Sequence, residues 1–146
     1  MQKCNQVAAM YVATLRAISI IHQQNHWIAK GDAFYGKHLL FERIYDSSLE
    51  DLDTAAEKFI GVFDESCVNY KAQLLLLNKI LEKYSALSGV KQSLAIEKDF
   101  ILFNKQAREC FENENKLTLG LDDMIAAISS SRESAVYLLQ QNNEEI

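Results

Sequence analysis

"HQQNHWIAKGDAFYGKHLLFERIYD", residues 22 to 46, contains every histidine of the 146-residue chain (His22, His26 and His38) and its single tryptophan, Trp27. Gly31 stands between the second and third histidines. Ahead of it, Val7, Tyr11, Leu15, Ile18 and His22 recur at helical spacing; behind it, Phe34, Phe41, Ile44, Tyr45, Leu49 and Leu52 are available for burial on a second helix. A helix over 2–30 is therefore expected to stop at Gly31, with Asp32 as N-cap of a helix over 33–60 that Gly61 closes. In one continuous helix His26 and His38 would lie about 18 Å apart at 1.5 Å per residue. A reversal at Gly31 into an antiparallel pair brings residues at similar distances from the turn together. The two imidazoles can then approach one another.

Working outward, a third segment over 66–84 carries the run "LLLLNKILEKY", apolar enough to be wedged between other elements. A long helix is expected over 93–116, with Ile96, Phe100, Phe103, Ala107 and Phe111 on one stripe. A last one is expected over 118–141, apolar at Leu121, Met124, Ile125, Ile128, Ala135 and Leu138. The absence of proline and the presence of only five glycines leave few interior helix breakers. The reading is all-α: a four-helix bundle with a short extra helix between the second and third, one domain over 1–146.

About half the residues are apolar and a quarter charged, as in ordinary soluble globular proteins. The net charge of −5 and the non-basic ends "MQKCNQ" and "QQNNEEI" argue against a general nucleic-acid binder. Cys4, Cys67 and Cys110 are widely spaced, with no CxxC pair, and read as reduced thiols of a cytoplasmic protein. The apolar run Val7–Leu15 is followed by Arg16 and continues helically, unlike a signal core. No stretch is expected to supply the ~20 apolar residues that span a bilayer.

Five residues could hold a metal: His26, His38, Glu42, Asp53 and Glu57. Singly, each has a plainer account as a hydrogen-bonded core histidine or a solvated carboxylate. Together their spacing is informative. His38 and Glu42 share a helix face, as do Asp53 and Glu57, each pair being i,i+4. Asp53 nevertheless lies about 22 Å beyond His38 along a straight helix. One chain cannot easily put both groups on one metal, whereas two copies of the second helix packed about a two-fold axis can, and they make two identical sites. Two imidazoles with carboxylates suit iron and tolerate zinc or manganese. No histidine has a glutamate three positions before it, which excludes the usual intrachain di-iron bundle.

The stretch "NHWIAKGDAFYGKHLLFERIYDSSLEDLDTAAEKFIG", residues 25 to 61, resembles the signature of the Dps-type mini-ferritins. His26-Trp27, Lys30-Gly31, His38, Asp53 and Glu57 stand at that family's spacing. The resemblance implies a ferritin-like subunit of a hollow homododecamer with ferroxidase sites at two-fold interfaces. His26 and His38 would come from one subunit, Asp53 and Glu57 from its neighbour. Fe(II) would be oxidised there, preferentially by hydrogen peroxide, and mineralised inside the shell, limiting oxidative damage. Trp27 would either intercept a stray oxidising equivalent or simply pack.

The chain departs from the family in four places. Glu42 stands where an Asp is common, which implies a shifted second iron position. His22, one turn before His26, is expected as a core or interface histidine. The connection after Gly61 lacks the family's Gly and Pro, so the crossover element is expected to be longer and differently docked. No basic terminal extension is present, so DNA binding is not expected. Acidic three-fold pores would draw on Asp122, Asp123, Glu112 or Glu114. Two other functions fit a helical chain of this kind: a ferritin-like shell with little redox activity, and a DNA-compacting protein, which the charge disfavours.

Overall fold

A computed structural model describes residues 2–142; the remainder of the acidic end, 143–146, lies outside the described residues. Five α-helices follow in order: α1 (Lys3–Ile28), α2 (Phe34–Val62), α3 (Tyr70–Glu82), α4 (Gly89–Asn113) and α5 (Leu119–Gln141), with a 3₁₀ turn at Glu65–Val68. The four long helices form the bundle, and α3 is the short extra one. It docks on α1, and the 3₁₀ turn bridges α1 and α2.

Helix α1 occupies the middle. Its stripe broadens until Ala8, Tyr11, Val12, Ala13, Leu15, Ala17 and Ile18 are all fully or almost fully buried. A helix apolar nearly all round is one covered from several sides, and its alanines let neighbours approach closely. Although no stretch was expected to be apolar enough to span a bilayer, α1 is long and apolar enough by length and composition. Its most apolar window has a mean hydropathy of 1.3, and 67% of that window is buried inside the bundle. Packing between helices accounts for that apolarity.

The aromatic centre is Tyr11, whose ring meets Phe59 and Phe100 edge-on at centroid distances of 5.0 and 5.1 Å. Its hydroxyl donates to Asn104 Oδ1 at 2.5 Å, and Asn104 in turn donates to the Ile125 carbonyl at 3.0 Å, so this buried hydroxyl and amide are both hydrogen-bonded. A smaller cluster of Phe41, Ile44, Leu94, Ala135 and Leu139 closes the end of the bundle nearer the α1–α2 hairpin.

Several sequence expectations are corrected. Asp32 does not cap α2: it lies in a turn after Gly31 (φ +92°), and the Phe34 amide bonds the Gly31 carbonyl at 3.0 Å. Gly61 does not end α2, which runs one residue further, because only a positive φ would make glycine a stop and Gly61 has helical geometry. Phe34 and Leu49, expected to be buried, are exposed. In the leucine run Leu77, Ile80 and Tyr84 are buried, while Leu74 and Leu75 are exposed, since α3 lies on one side of the bundle rather than within it. Helix α4 starts at Gly89 (φ +63°), four residues earlier than expected, and stops before Lys116. There Asn115 turns left-handed (φ +56°) and the Lys116 amide reaches back to the Phe111 carbonyl at 2.8 Å, a Schellman-type end. Thr118 caps α5 by accepting from the Leu121 amide at 3.0 Å.

Candidate metal centre

Helices α1 and α2 run antiparallel from the Gly31 reversal, and this brings the two histidines face to face. The rings of His26 and His38 stack with centroids 3.7 Å apart and planes 19° from parallel. Each ring is also bonded to the other residue's backbone: His26 Nδ1 donates to the His38 carbonyl at 2.7 Å, and His38 Nδ1 to the His26 carbonyl at 2.9 Å. A carbonyl can only accept, so both Nδ1 atoms carry their protons. Both Nε2 atoms are then lone-pair donors in the neutral ring, the form a metal requires. Packing fixes the ring planes further. Tyr45 stands edge-on to His26 at 5.5 Å and Phe34 lies against His38 at 5.0 Å. His26 is buried and His38 half-buried.

The carboxylates lie elsewhere. Asp53 and Glu57 are exposed on α2, Glu42 is half-buried, and no ion pair among the described residues holds Asp53 or Glu57. Among the described residues, no three His, Cys, Asp or Glu side chains gather closely enough to hold a metal within one chain. At 100° per residue Leu39, Glu42, Leu49, Asp53, Glu57 and Ile60 fall within about 80° of one another on α2. Three of these are exposed leucine or isoleucine. One outward stripe thus carries apolar and acidic side chains together, with His38 at its edge. Trp27 is 67% exposed, so it is no core packing residue of the subunit.

His22 is a core histidine, fully buried, with Nδ1 2.9 Å from Ser93 Oγ and Nε2 2.8 Å from Glu97 Oε1. Burial lowers its pKa first of all, against the opposing pull of the Glu97 bond. Asn25 ties the same knot, donating to Ser93 Oγ at 2.8 Å and to the Gly89 carbonyl at 3.0 Å. Of the acids named for a pore, Asp122 and Glu112 are both bound by Arg108, at 2.7 and 3.1 Å, which offsets one of their two negative charges. Asp123 and Glu114 remain exposed. Cys4, Cys67 and Cys110 are free thiols.

No protein-family model and no curated protein sequence matches the chain. A search of solved structures gives the crystal structure of Dps from Thermosynechococcus elongatus at a TM-score of 0.80 and 14% identity, covering 99% of this chain and 92% of that one. The chain has the Dps-type ferritin-like fold. Within that Dps-type frame the four bundle helices and the short α3 are all accounted for. Sequence reasoning missed Glu97 as the buried partner of His22 and Arg132 as the buried partner of Glu97. A signal was there: Glu97 sits on the apolar α4 stripe beside Ile96 and Phe100, and Arg132 lies between Ile128 and Ala135 on α5.

Proposed function

We propose that this chain is the subunit of a Dps-like ferroxidase cage that binds Fe(II) between subunits, oxidises it with hydrogen peroxide and stores the ferric product. The observation that carries the reading is the stacked pair His26 and His38, each locked by the other's backbone carbonyl with Nε2 left as an electron-pair donor. Asp53 and Glu57, with Glu42 at longer reach, supply the hard oxygen ligands that iron favours, and zinc would substitute in the same donors. His38 and the Asp53/Glu57 pair are symmetric about residues 46–47 of α2. A two-fold axis there, with two α2 helices antiparallel, sets the imidazoles of one subunit against Asp53 and Glu57 of the partner subunit. The exposed Leu39, Leu49 and Ile60 on that stripe give such a contact its apolar part. Twelve copies around a cavity, as in the Dps-type shells the fold resembles, complete the reading.

Peroxide accepts two electrons, one from each of two Fe(II) ions, so pairing iron at one site consumes both reactants without releasing hydroxyl radical. Trp27, exposed beside a ligand, is placed to intercept a stray oxidising equivalent. The protein acts in the cytoplasm and, with a net charge of −5, leaves duplex DNA unshifted at physiological salt. The test is anaerobic loading with Fe(II), then peroxide, following ferric absorbance in the wild type and in a His26→Ala/Asp53→Ala double variant. The variant is expected to lose the fast phase; equal rates reject the site. Light scattering on a sizing column reads the assembly separately.

A further inference from the structure

One ionisable side chain from each long helix meets inside the bundle: His22 from α1, Asp51 from α2, Glu97 from α4 and Arg132 from α5. His22, Glu97 and Arg132 have no exposed side-chain surface, and Asp51 keeps 17%. Glu97 Oε1 lies 2.8 Å from His22 Nε2 and 3.4 Å from Arg132 Nη1, and Arg132 Nε lies 3.6 Å from Asp51 Oδ2. The guanidinium makes one good hydrogen bond, from Nη2 to Ser47 Oγ at 2.6 Å. Glu97 Oε2, Asp51 Oδ2 and Arg132 Nε and Nη1 are buried without a hydrogen-bond partner. Such a cluster is a poor way to stabilise a core, since each buried charge loses its hydration and these bonds return little of it.

Its composition has another sense. One imidazole and two carboxylates on facing helices are the donor types with which helical bundles hold divalent first-row metals, although with Arg132 in place no three such donors among the described residues lie close enough to share one. Here a guanidinium stands between the two carboxylates. We propose that Arg132 is the built-in cation of a bundle-core His–carboxylate site, and that its charge shuts divalent iron out of the subunit interior. The assignment of iron as the excluded ion rests on the ferroxidase reading; the site itself does not. With Arg132 present, a divalent ion entering beside Glu97 meets a like charge at contact distance. Without it, the two carboxylates face an emptied, arginine-sized space; His22, whose Nε2–H donates to Glu97, shifts that proton to Nδ1, where Ser93 Oγ accepts it, and the freed Nε2 joins the carboxylates around a divalent ion that restores neutrality. Arg132 thereby sets where metal binds, leaving the histidine pair at the hairpin as the chain's imidazole donors.

The test uses the assembled full chain and Co(II) alone, under anaerobic conditions, with stoichiometry from equilibrium dialysis and coordination from the cobalt visible absorption. The interface ligands are first removed with His26→Ala/Asp53→Ala; whether Co(II) is lost at that stage reports only on the ferroxidase site. In that background Arg132→Gln is expected to gain one Co(II) per chain, with a new visible band. Adding Glu97→Gln is expected to abolish that gain. Arg132→Lys, which keeps the charge, is expected to gain none. A folded Arg132→Gln protein that binds no additional Co(II), or a gain that Arg132→Lys reproduces, overturns the proposal. If Arg132→Gln is unfolded without metal, refolding on Co(II) addition supports the proposal, and failure to refold with Co(II) overturns it.

Discussion

If the metal site is shared across a two-fold axis, two inactive proteins should rescue each other by a fraction that symmetry fixes. One variant, His26→Ala/His38→Ala, keeps only the carboxylates; the other, Asp53→Ala/Glu57→Ala, keeps only the imidazoles. Each alone has every site half-destroyed. In a mixed pair, one interface site receives both intact halves and the other receives both damaged halves. Random 1:1 assembly makes about half of all pairs mixed, and half the sites in those are whole, so about a quarter of wild-type sites return. The variants are co-expressed with separable tags, the doubly tagged particles are isolated alongside the total pool, and ferric absorbance is followed after peroxide. The total pool is expected near a quarter of the wild-type initial rate, against background for each variant alone. The geometry behind this is the separation of about 22 Å between His38 and Asp53 along α2, together with the absence of any three-ligand cluster within one chain among the described residues. No recovery in proven mixed particles would refute the reasoning, because it would mean that each chain builds its site alone.

Other expectations follow from the packing. Phe59→Ala removes a fully buried ring that contacts Tyr11, Phe63 and Phe111, and should destabilise the subunit by about 3–5 kcal/mol in chemical denaturation; a loss below 1 kcal/mol would contradict the described core. Gly31→Ala forces a side chain onto a backbone at φ +92° and should cost about 1–2 kcal/mol, with no steric clash to add to it; an unchanged midpoint would show that the reversal is not built this way. Burial holds the His22 pKa below its ordinary 6.5, so the unfolded chain takes up a proton that the folded chain refuses. Stability from this source is complete above 6.5 and is lost as pH falls toward the folded value. Asp51 acts with opposite sign: burial raises its pKa above 3.8, so its contribution is present at low pH and is lost as pH rises through its folded value. Thermal midpoints should therefore drop between pH 7 and 5.5, and His22→Gln should flatten that slope; an identical slope in the variant would remove His22 as the cause.

The histidine hairpin was legible because a turn residue and two ring positions suffice to define it: Gly31 had to break the helix, and equal distances from the break do the rest. The Asp53/Glu57 pair was legible as a negative statement, since helical rise alone separates it from His38. Helix ends were less so. The stop after α4 depends on Asn115 entering the left-handed region, which many asparagines never do, and the stop after α2 depends on Phe63 rather than on Gly61 two residues before it. The exposure of Leu74 and Leu75 could not be read from the run itself, because a short apolar helix looks the same whether it is enclosed or lies on one side. Likewise the Glu97–Arg132 contact joins residues whose stripes are visible separately but whose facing register is set only by tertiary packing.

The most direct measurement is an iron-edge anomalous map from crystals of the assembled particle soaked anaerobically in Fe(II). A peak is expected at bonding distance from Nε2 of His26 or His38, completed by Asp53 or Glu57 of the partner subunit. Iron ligated entirely within one chain, or a two-fold contact that leaves the histidine pair facing solvent, would contradict that arrangement.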